Sequence, residues 1–153
     1  MDSAKKALEY ALRATGYRMM SEKELKDKLL KKGFEEEDIE YAVEKVRSYG
    51  GLDDEGYAAS LAAAYKNKGC GRQYVAAKLR EKGISDDIKS EILEDFEPDY
   101  DKMRSFIASK LKNKQPDRKE MGKISAALYR KGFSWEEIRK ALREYTDNED
   151  YYE

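Results

Sequence analysis

Three stretches of this chain, LLKKGF at residues 29–34, LREKGI at 79–84 and LYRKGF at 128–133, repeat almost the same six residues. Their glycines, Gly33, Gly83 and Gly132, are 50 and then 49 positions apart. A fixed period of this size is typical of tandem structural repeats. The repetition therefore predicts three copies of one supersecondary unit.

Apolar side chains flank each glycine at spacings of three and four residues, which place them on one face of a helix. These side chains are Leu25, Leu29, Ile39, Val43 and Val46, then Val75, Leu79, Ile88, Ile92 and Phe96, then Ile124, Leu128, Ile138, Leu142 and Tyr145. One more apolar-striped segment precedes each set. The pattern predicts an all-α protein, with three tandem three-helix repeats that form an elongated, curved array. The predicted repeats cover residues 1–50, 51–97 and 98–145, and an acidic tail follows at 146–153.

Local signals mark where the helices begin and end. Each repeated glycine follows a basic residue and suits the position after a helix, where positive φ is common, so we interpret it as a helix stop and not as a phosphate loop. Ser21 with Glu24 and Ser134 with Glu137 have the spacing of capping boxes, and Asp53 is placed to cap another helix. Pro98 and Pro116 bracket the first helix of the third repeat.

Composition excludes several classes of protein. No run of about 18 apolar residues could span a membrane, and the N-terminus lacks the pattern of a secretory signal. Cys70 is the only cysteine, which excludes an internal disulfide and fits the cytoplasm. The chain has no histidine, the commonest general base and metal ligand. We therefore expect no enzymatic activity, no cofactor and no metal.

Two short motifs resemble binding loops, but each has a simpler explanation. GCGRQY at 69–74 has Tyr74 where a dinucleotide loop needs its third glycine, and no predicted strand precedes it, so it reads as a connection between helices. GLDDEGYA at 51–58 clusters three carboxylates, and helix capping explains them better than a metal site. Packing is favoured over base stacking for three of the 12 tyrosines, and the alternatives stay open for four others. The first group is Tyr57, Tyr65 and Tyr145, and the second is Tyr17, Tyr74, Tyr100 and Tyr129.

The net charge of -1 conceals a basic region. Residues 98–145 carry 13 basic and 7 acidic side chains, whereas residues 1–50 carry 11 of each and the tail carries 4 acidic ones. The densest stretch contains Lys110, Lys112, Lys114, Arg118, Lys119, Lys123, Arg130 and Lys131. These eight residues are the candidate binding site for a polyanion or an acidic protein face, and a merely solvated face is the alternative.

The blocks together resemble the RecX family, the bacterial modulators of the RecA recombinase. YRMMSEKELKDKLLKKGF at 17–34 is similar to the family's Arg-x-x-Ser-x-x-Glu-Leu signature, carried here by Arg18, Ser21, Glu24 and Leu25. GLDDEGYA is similar to the family's Gly-x-Leu-Asp-Asp block, which an aromatic residue and alanine follow. KGCGRQYVAAKLREKGI at 68–84 and LYRKGFSWEEIRKAL at 128–142 resemble the remaining blocks, so that the resemblance covers about residues 4–145.

The resemblance implies a noncatalytic, monomeric protein of DNA repair, homologous recombination and the SOS response. It would lie along the groove of the RecA–DNA filament, contact the recombinase and single-stranded or double-stranded DNA, and restrain ATP hydrolysis and strand exchange. A helix-turn-helix transcription factor and a helical interaction scaffold are the alternatives. The first is disfavoured because the positions that would read bases are acidic: EEED at 35–38, SDD at 85–87 and SWEE at 134–137.

Overall fold

The computed structural model describes residues 2–152, apart from the side chain of Glu149, and within this range all regular structure is helical. The α-helices are α1 (Ser3–Tyr17), α2 (Glu22–Lys31), α3 (Glu36–Ser48), α4 (Asp54–Asn67), α5 (Arg72–Glu81), α6 (Asp86–Glu94), α7 (Tyr100–Leu111), α8 (Arg118–Arg130) and α9 (Trp135–Leu142), and a 3-10 turn follows at Glu149–Tyr151. The predicted all-α class is therefore confirmed. None of the described helices is long and apolar enough to cross a lipid bilayer.

The predicted caps form at the starts of α2, α4 and α9. Ser21 Oγ accepts a hydrogen bond from the Glu24 backbone at 3.1 Å, and the Glu24 carboxylate accepts one from the Ser21 backbone at 3.0 Å. The same reciprocal pair joins Ser134 and Glu137, at 3.1 and 2.8 Å. Asp53 accepts a hydrogen bond from the Gly56 backbone at 3.0 Å. These bonds satisfy N–H groups that have no partner inside their helix, so the three capping predictions are confirmed.

The three repeated glycines end α2, α5 and α8 in the same way. Each glycine N–H donates to the carbonyl three residues earlier, and the next N–H donates to the carbonyl five residues before it. The φ angles of Gly33, Gly83 and Gly132 are 96°, 77° and 99°, a region that other L-residues enter at a cost of about 1–2 kcal/mol. The predicted equivalence of the three helix ends is confirmed.

The chain folds as two compact units. The first comprises the described residues up to Ser60 together with Lys78–Ile92, and the second comprises Leu61–Ala77 together with the described residues from Leu93 onward. The core of the first unit consists of Ala7, Ala11, Met20, Leu25, Leu29, Ile39, Ala42, Val43 and Val46. The core of the second consists of Met103, Ile107, Met121, Ile124, Leu128, Phe133, Ile138, Ala141, Leu142 and Tyr152. These units do not follow the repeat boundaries at 50 and 97, which stay a sequence-level prediction.

Within each unit, a glycine turn is joined to the start of an earlier helix. In the first unit, Ser21 at the start of α2 donates its hydroxyl to the carbonyl of Lys82, which directly precedes Gly83. In the second unit, the Gly71 N–H at the start of α5 donates to the carbonyl of Lys131, which directly precedes Gly132, at 2.8 Å. We call these two contacts the turn joints. In each joint, the two bonded groups lie close to one of the repeated glycines and to one helix N-terminus.

Glu24 is the centre of a polar network in the first unit. Its carboxylate faces Arg18 at 3.4 Å and Lys82 at 3.7 Å, and it accepts hydrogen bonds from the Ser21 backbone and the Tyr57 hydroxyl. Burial alone would raise the pKa of Glu24, but these hydrogen bonds and positive charges outweigh it and hold the pKa below its usual value. Burial, together with the hydrogen bond to Glu24, raises the pKa of Tyr57.

The carboxylates of GLDDEGYA are used within the fold. Asp53 caps its own helix, and Asp54 accepts a hydrogen bond at 3.0 Å from the backbone of Glu22, the first residue of α2. Burial and the neighbouring charges of Asp53 and Glu24 raise the pKa of Asp54. Among the described residues, no group of three or more acidic or cysteine side chains is arranged to hold a metal ion.

The chain beyond the third repeat packs against that repeat. Tyr152 is only 2 % exposed and belongs to the core of the second unit, with Tyr151 partly buried beside it. The acidic composition of 146–153 gave no indication of this packing, because two aromatic side chains supply the contact. Glu153, the last residue of the predicted tail, lies outside the described residues.

Candidate nucleic-acid interface

The eight predicted site residues follow the chain from the end of α7 to the end of α8. Lys110 lies in the last turn of α7, Lys112 and Lys114 lie in the connection to α8, and Lys131 directly follows α8. Arg118, Lys119, Lys123 and Arg130 lie on α8 itself. All are exposed except Lys131, which is half-buried. Whether they bind a ligand stays a prediction, but their positions identify which of them can act together.

Four of the eight line one groove between the end of α7 and α8. The groove has a volume of about 440 Å³, and its basic residues are Lys110, Lys114, Lys123 and Arg130. Lys123 and Arg130 are seven residues apart on α8, which separates them by roughly 10 Å along the helix axis. We call this the third-repeat groove. Its cations are therefore distributed along a line and do not converge on one point.

Small and apolar residues form the remaining lining of the third-repeat groove, with one exception. Ala126, Ala127 and Ile124 leave space between the basic side chains. The exception is Glu120, whose carboxylate lies 3.5 Å from the ammonium group of Lys114. Across the described part of the chain, Lys110, Lys123 and Arg130 belong to no ion pair. The groove thus presents three cations that no described carboxylate neutralises.

The ring of Phe106 brings a fifth basic residue close to the groove. The ammonium groups of Lys131 and Lys110 lie 4.8 and 5.5 Å from the centre of this ring. A cation above an aromatic face is attracted by the ring's electron density, which offsets part of the repulsion between the two lysines. Lys131 therefore joins the cluster that Lys110 begins.

The other three predicted residues lie outside the groove lining. Lys112 directly follows α7, and Arg118 and Lys119 begin α8. Lys119 precedes Lys123 by one helical turn and extends the basic row, whereas Arg118 lies on another face of α8. The structure thus brings together five of the eight candidates, places Lys119 one helical turn from them, and separates Lys112 and Arg118 from them.

An exposed aromatic pair lies at the end of α8, and the sequence did not predict it. The rings of Tyr129 and Trp135 stack with centres 4.9 Å apart and planes inclined by 15°. Tyr129 is 55 % exposed and Trp135 is 42 % exposed. Tyr129 and Trp135 are six residues apart, on either side of the turn at Gly132. This spacing could have indicated the contact, because the turn brings the chain back towards the end of α8.

Three family models match successive parts of the chain. They are described as RecX, first three-helix domain, at residues 7–45, RecX, second three-helix domain, at 53–93, and RecX, third three-helix domain, at 97–142. The prediction of three-helix repeats in tandem is confirmed by these matches.

Proteins that are similar to this chain in sequence or in structure are also named RecX. The regulatory protein RecX of Pelodictyon phaeoclathratiforme is 36 % identical over 146 residues, covering 93 % of this chain and 90 % of that protein. The regulatory protein RecX of Chlorobaculum tepidum is 35 % identical over 148 residues, covering 94 % and 91 %. The crystal structure of RecX from Lactobacillus salivarius superposes with a TM-score of 0.84 at 26 % identity, over 94 % of this chain and 96 % of that one. A second crystal structure, of a regulatory protein RecX, gives a TM-score of 0.81 at 26 % identity, over 94 % and 72 %.

Proposed function

The chain belongs to the RecX family, and we propose that it is a noncatalytic regulator that binds the RecA–DNA filament and restrains its ATP hydrolysis and strand exchange. The family assignment supports the recombinase as the partner. The third-repeat groove supports the mode of contact, since a line of unpaired cations suits a negatively charged polymer.

One observation supports this proposal most strongly: three of the four basic residues that line the groove are free to meet an external anion. Lys110, Lys123 and Arg130 are exposed and have no acidic partner among the described side chains. Surface cations of a solvated face usually alternate with carboxylates, and here only Glu120 interrupts the row. A phosphate backbone or an acidic face of the recombinase would supply the missing negative charge.

A helix-turn-helix DNA reader remains the main alternative, and the fold disfavours it. The third helix of each repeat begins with acidic residues, such as Glu36 and Glu37 on α3, Asp86 on α6 and Glu136 on α9. A recognition helix presents its first turns to the DNA, where these carboxylates would face phosphates. Binding along a filament groove requires no such insertion.

The proposal includes a monomer that acts in the cytoplasm without turnover of its own. A single cysteine fits a reducing compartment, and the chain has no histidine to act as a general base. The basic groove would position the protein on its partner and would perform no chemistry.

The test is the ATPase activity of the recombinase on single-stranded DNA, measured while this protein is titrated past the recombinase concentration. We expect the steady-state rate to fall as the protein saturates the filament. A rate that stays constant, together with no binding to the filament in sedimentation, would refute the proposal.

Two charge-matched double variants test the third-repeat groove. Lys110→Gln with Lys123→Gln removes two groove cations, and Lys112→Gln with Arg118→Gln removes two cations outside the groove. We expect only the first to bind the filament more weakly. If phosphates of single-stranded DNA are the partner, the slope of log affinity against log salt should fall by about 0.7 for each phosphate that the variant no longer neutralises.

The outcomes separate the contacts that the groove makes. Weaker binding to both filament and naked DNA assigns the groove to phosphates, and weaker binding to the filament alone assigns it to an acidic face of the recombinase. If both double variants bind the filament with the affinity of the parent protein, the groove is only a solvated face.

A further inference from the structure

We propose that the first repeat holds a second nucleic-acid site, in which single-stranded nucleic acid places its phosphates between α1 and α2 and stacks a base on Tyr17. This site goes beyond the proposed function, because it is defined by direct binding to a nucleic acid and requires no recombinase. It lies in a groove of about 360 Å³ whose basic residues are Arg13, Arg18, Lys28 and Lys32. We call it the first-repeat groove.

The first-repeat groove is built in the same way as the third-repeat groove. In each, a basic residue from the connection between two helices pairs with a glutamate six residues later: Arg18 with Glu24 at 3.4 Å, and Lys114 with Glu120 at 3.5 Å. Both grooves lie between the first and second helices of their repeat. This construction is independent of the charge count of the sequence, which gave no indication of a site in the first repeat.

A lysine above an aromatic ring is the second shared element. Lys32, which directly precedes Gly33, lies 5.7 Å from the ring centre of Tyr10 on α1. Lys131, which directly precedes Gly132, occupies the corresponding position over its own ring on α7 at 4.8 Å. The two grooves thus share a basic residue paired with a glutamate six positions later and a lysine over an aromatic ring, and they present cations in a similar arrangement.

The first-repeat groove equals its counterpart in uncompensated charge, because each groove is lined by three basic residues outside any described ion pair. Among the described residues no carboxylate lines the first-repeat groove, whereas Glu120 lines the third-repeat groove. Among the described side chains, Arg13, Lys28 and Lys32 belong to no ion pair. An anionic polymer would therefore gain three free cations without displacing an internal partner.

Tyr17 distinguishes a single-stranded nucleic acid from other anions. It is the last residue of α1, lines the groove and is 92 % exposed, although a ring of this size is usually at least partly packed. Aromatic rings beside a basic groove stack the bases of single strands, whose faces are free. The bases of a duplex are stacked on one another and an acidic peptide has no base, so neither would use this ring.

The phosphate contacts are tested with the full-length chain and a fluorescent oligothymidylate, by anisotropy across a salt series. Lys28→Gln with Lys32→Gln removes two groove cations. The matched control, Lys5→Gln with Lys26→Gln, removes two exposed cations of the same helices on faces away from the groove. We expect the groove variant alone to bind several-fold more weakly, and its salt slope to fall by about 0.7 for each phosphate that it no longer neutralises.

The comparison is repeated in the background of Lys110→Gln with Lys123→Gln, which weakens the third-repeat groove. The binding that remains should then depend on Lys28 and Lys32. Affinity and salt slope equal to those of the parent protein in both backgrounds would overturn the proposal. So would a loss of polyglutamate binding with unchanged oligothymidylate binding, because the occupant would then be an acidic protein segment.

The stacking contact is tested separately. Tyr17→Ala should weaken oligothymidylate binding by about 5- to 100-fold, and Tyr17→Phe should retain the affinity because it keeps the ring. The control is Tyr49→Ala, which removes another exposed ring of the same unit outside the groove. An equal loss for a duplex of the same length would refute the single-strand assignment. The assay contains no recombinase, so its failure would leave the ATPase test of the proposed function unaffected.

Discussion

Replacing Gly132 and Gly33 by alanine separates two reasons for a glycine at the end of a helix. Both residues follow the second helix of a repeat, and their φ angles of 99° and 96° are nearly the same. The backbone cost of adding a side chain should therefore be the same at both positions, about 1–2 kcal/mol. Any further difference between the two variants has to come from the surroundings.

The surroundings of the two glycines differ sharply. Apart from its chain neighbours, a Cβ on Gly33 would have no heavy atom within 4 Å, whereas a Cβ on Gly132 would meet the backbone nitrogen of Tyr74 and would lie 2.7 Å from the Cβ of Tyr74 and 3.0 Å from the carbonyl oxygen of Gly71. These neighbours lie at and just after the turn joint of the second unit, and two of the three contacts are with backbone atoms that cannot rotate away. Overpacking of this kind costs about 1–3 kcal/mol in addition to the backbone term.

Thermal unfolding followed by circular dichroism measures the difference. For a chain of this length, each kcal/mol lowers the Tm by about 2–4 °C, so Gly132→Ala should melt several degrees below Gly33→Ala. Each variant serves as the control for the other. Equal Tm shifts for the two variants would show that the turn joint moves to accommodate a methyl group. The inference that the joint holds the turn in place would then be wrong.

Three further predictions concern individual side chains. Glu24→Gln should destabilise the protein more at pH 7 than at pH 3. The folded state lowers the pKa of Glu24, so its ionised carboxylate stabilises the fold above the unfolded-state pKa, and this contribution is lost as the pH falls through the folded-state pKa. Urea unfolding at both pH values measures the loss of stability, and equal losses at the two pH values would contradict the prediction. Tyr152→Ala should lower the free energy of unfolding by about 3–5 kcal/mol, because removing this buried ring leaves a cavity. In the same urea assay, Tyr49→Ala on the surface should change the free energy of unfolding by less than about 0.5 kcal/mol. Tyr129→Ala should shift the emission of Trp135, the only tryptophan, to longer wavelength because its ring loses a stacked neighbour, and an unchanged spectrum would argue against the stack in solution.

Local signals in the sequence predicted most of the helical framework. The glycine period, the capping boxes at Ser21 and Ser134 and the cap at Asp53 depend on neighbours within a few positions, so each could be read from a short window of sequence. The structure bears out these features because nothing distant in the chain overrides them. The role of Asp54 at the start of α2 could not be read in this way, since its partner Glu22 is 32 positions away.

The two basic grooves show the limits of counting charge along a sequence. The basic excess of residues 98–145 drew attention to the third repeat, yet the linear stretch did not distinguish Lys110 and Lys123, which line one groove, from Arg118, which does not line it. In the first repeat, the equal numbers of acidic and basic residues concealed a second groove. Folding segregates those charges, because the acidic run at 35–38 belongs to the start of α3 while the basic residues of α1 and α2 face one another.

The turn joints restrict which residues related chains can carry at the joined positions. The first joint connects Ser21 to Lys82, 61 positions away, and the second connects Gly71 to Lys131, 60 positions away. A Cβ on Gly71 would lie 2.5 Å from the Gly132 carbonyl oxygen, and a Cβ on Gly132 would lie 3.0 Å from the Gly71 carbonyl oxygen. Both obstacles are backbone atoms, so a side-chain change at one position cannot make room for a larger residue at the other. An alignment of related chains should therefore show glycine kept at both of these positions, and more variation at Gly33, whose turn has no such partner among the described residues.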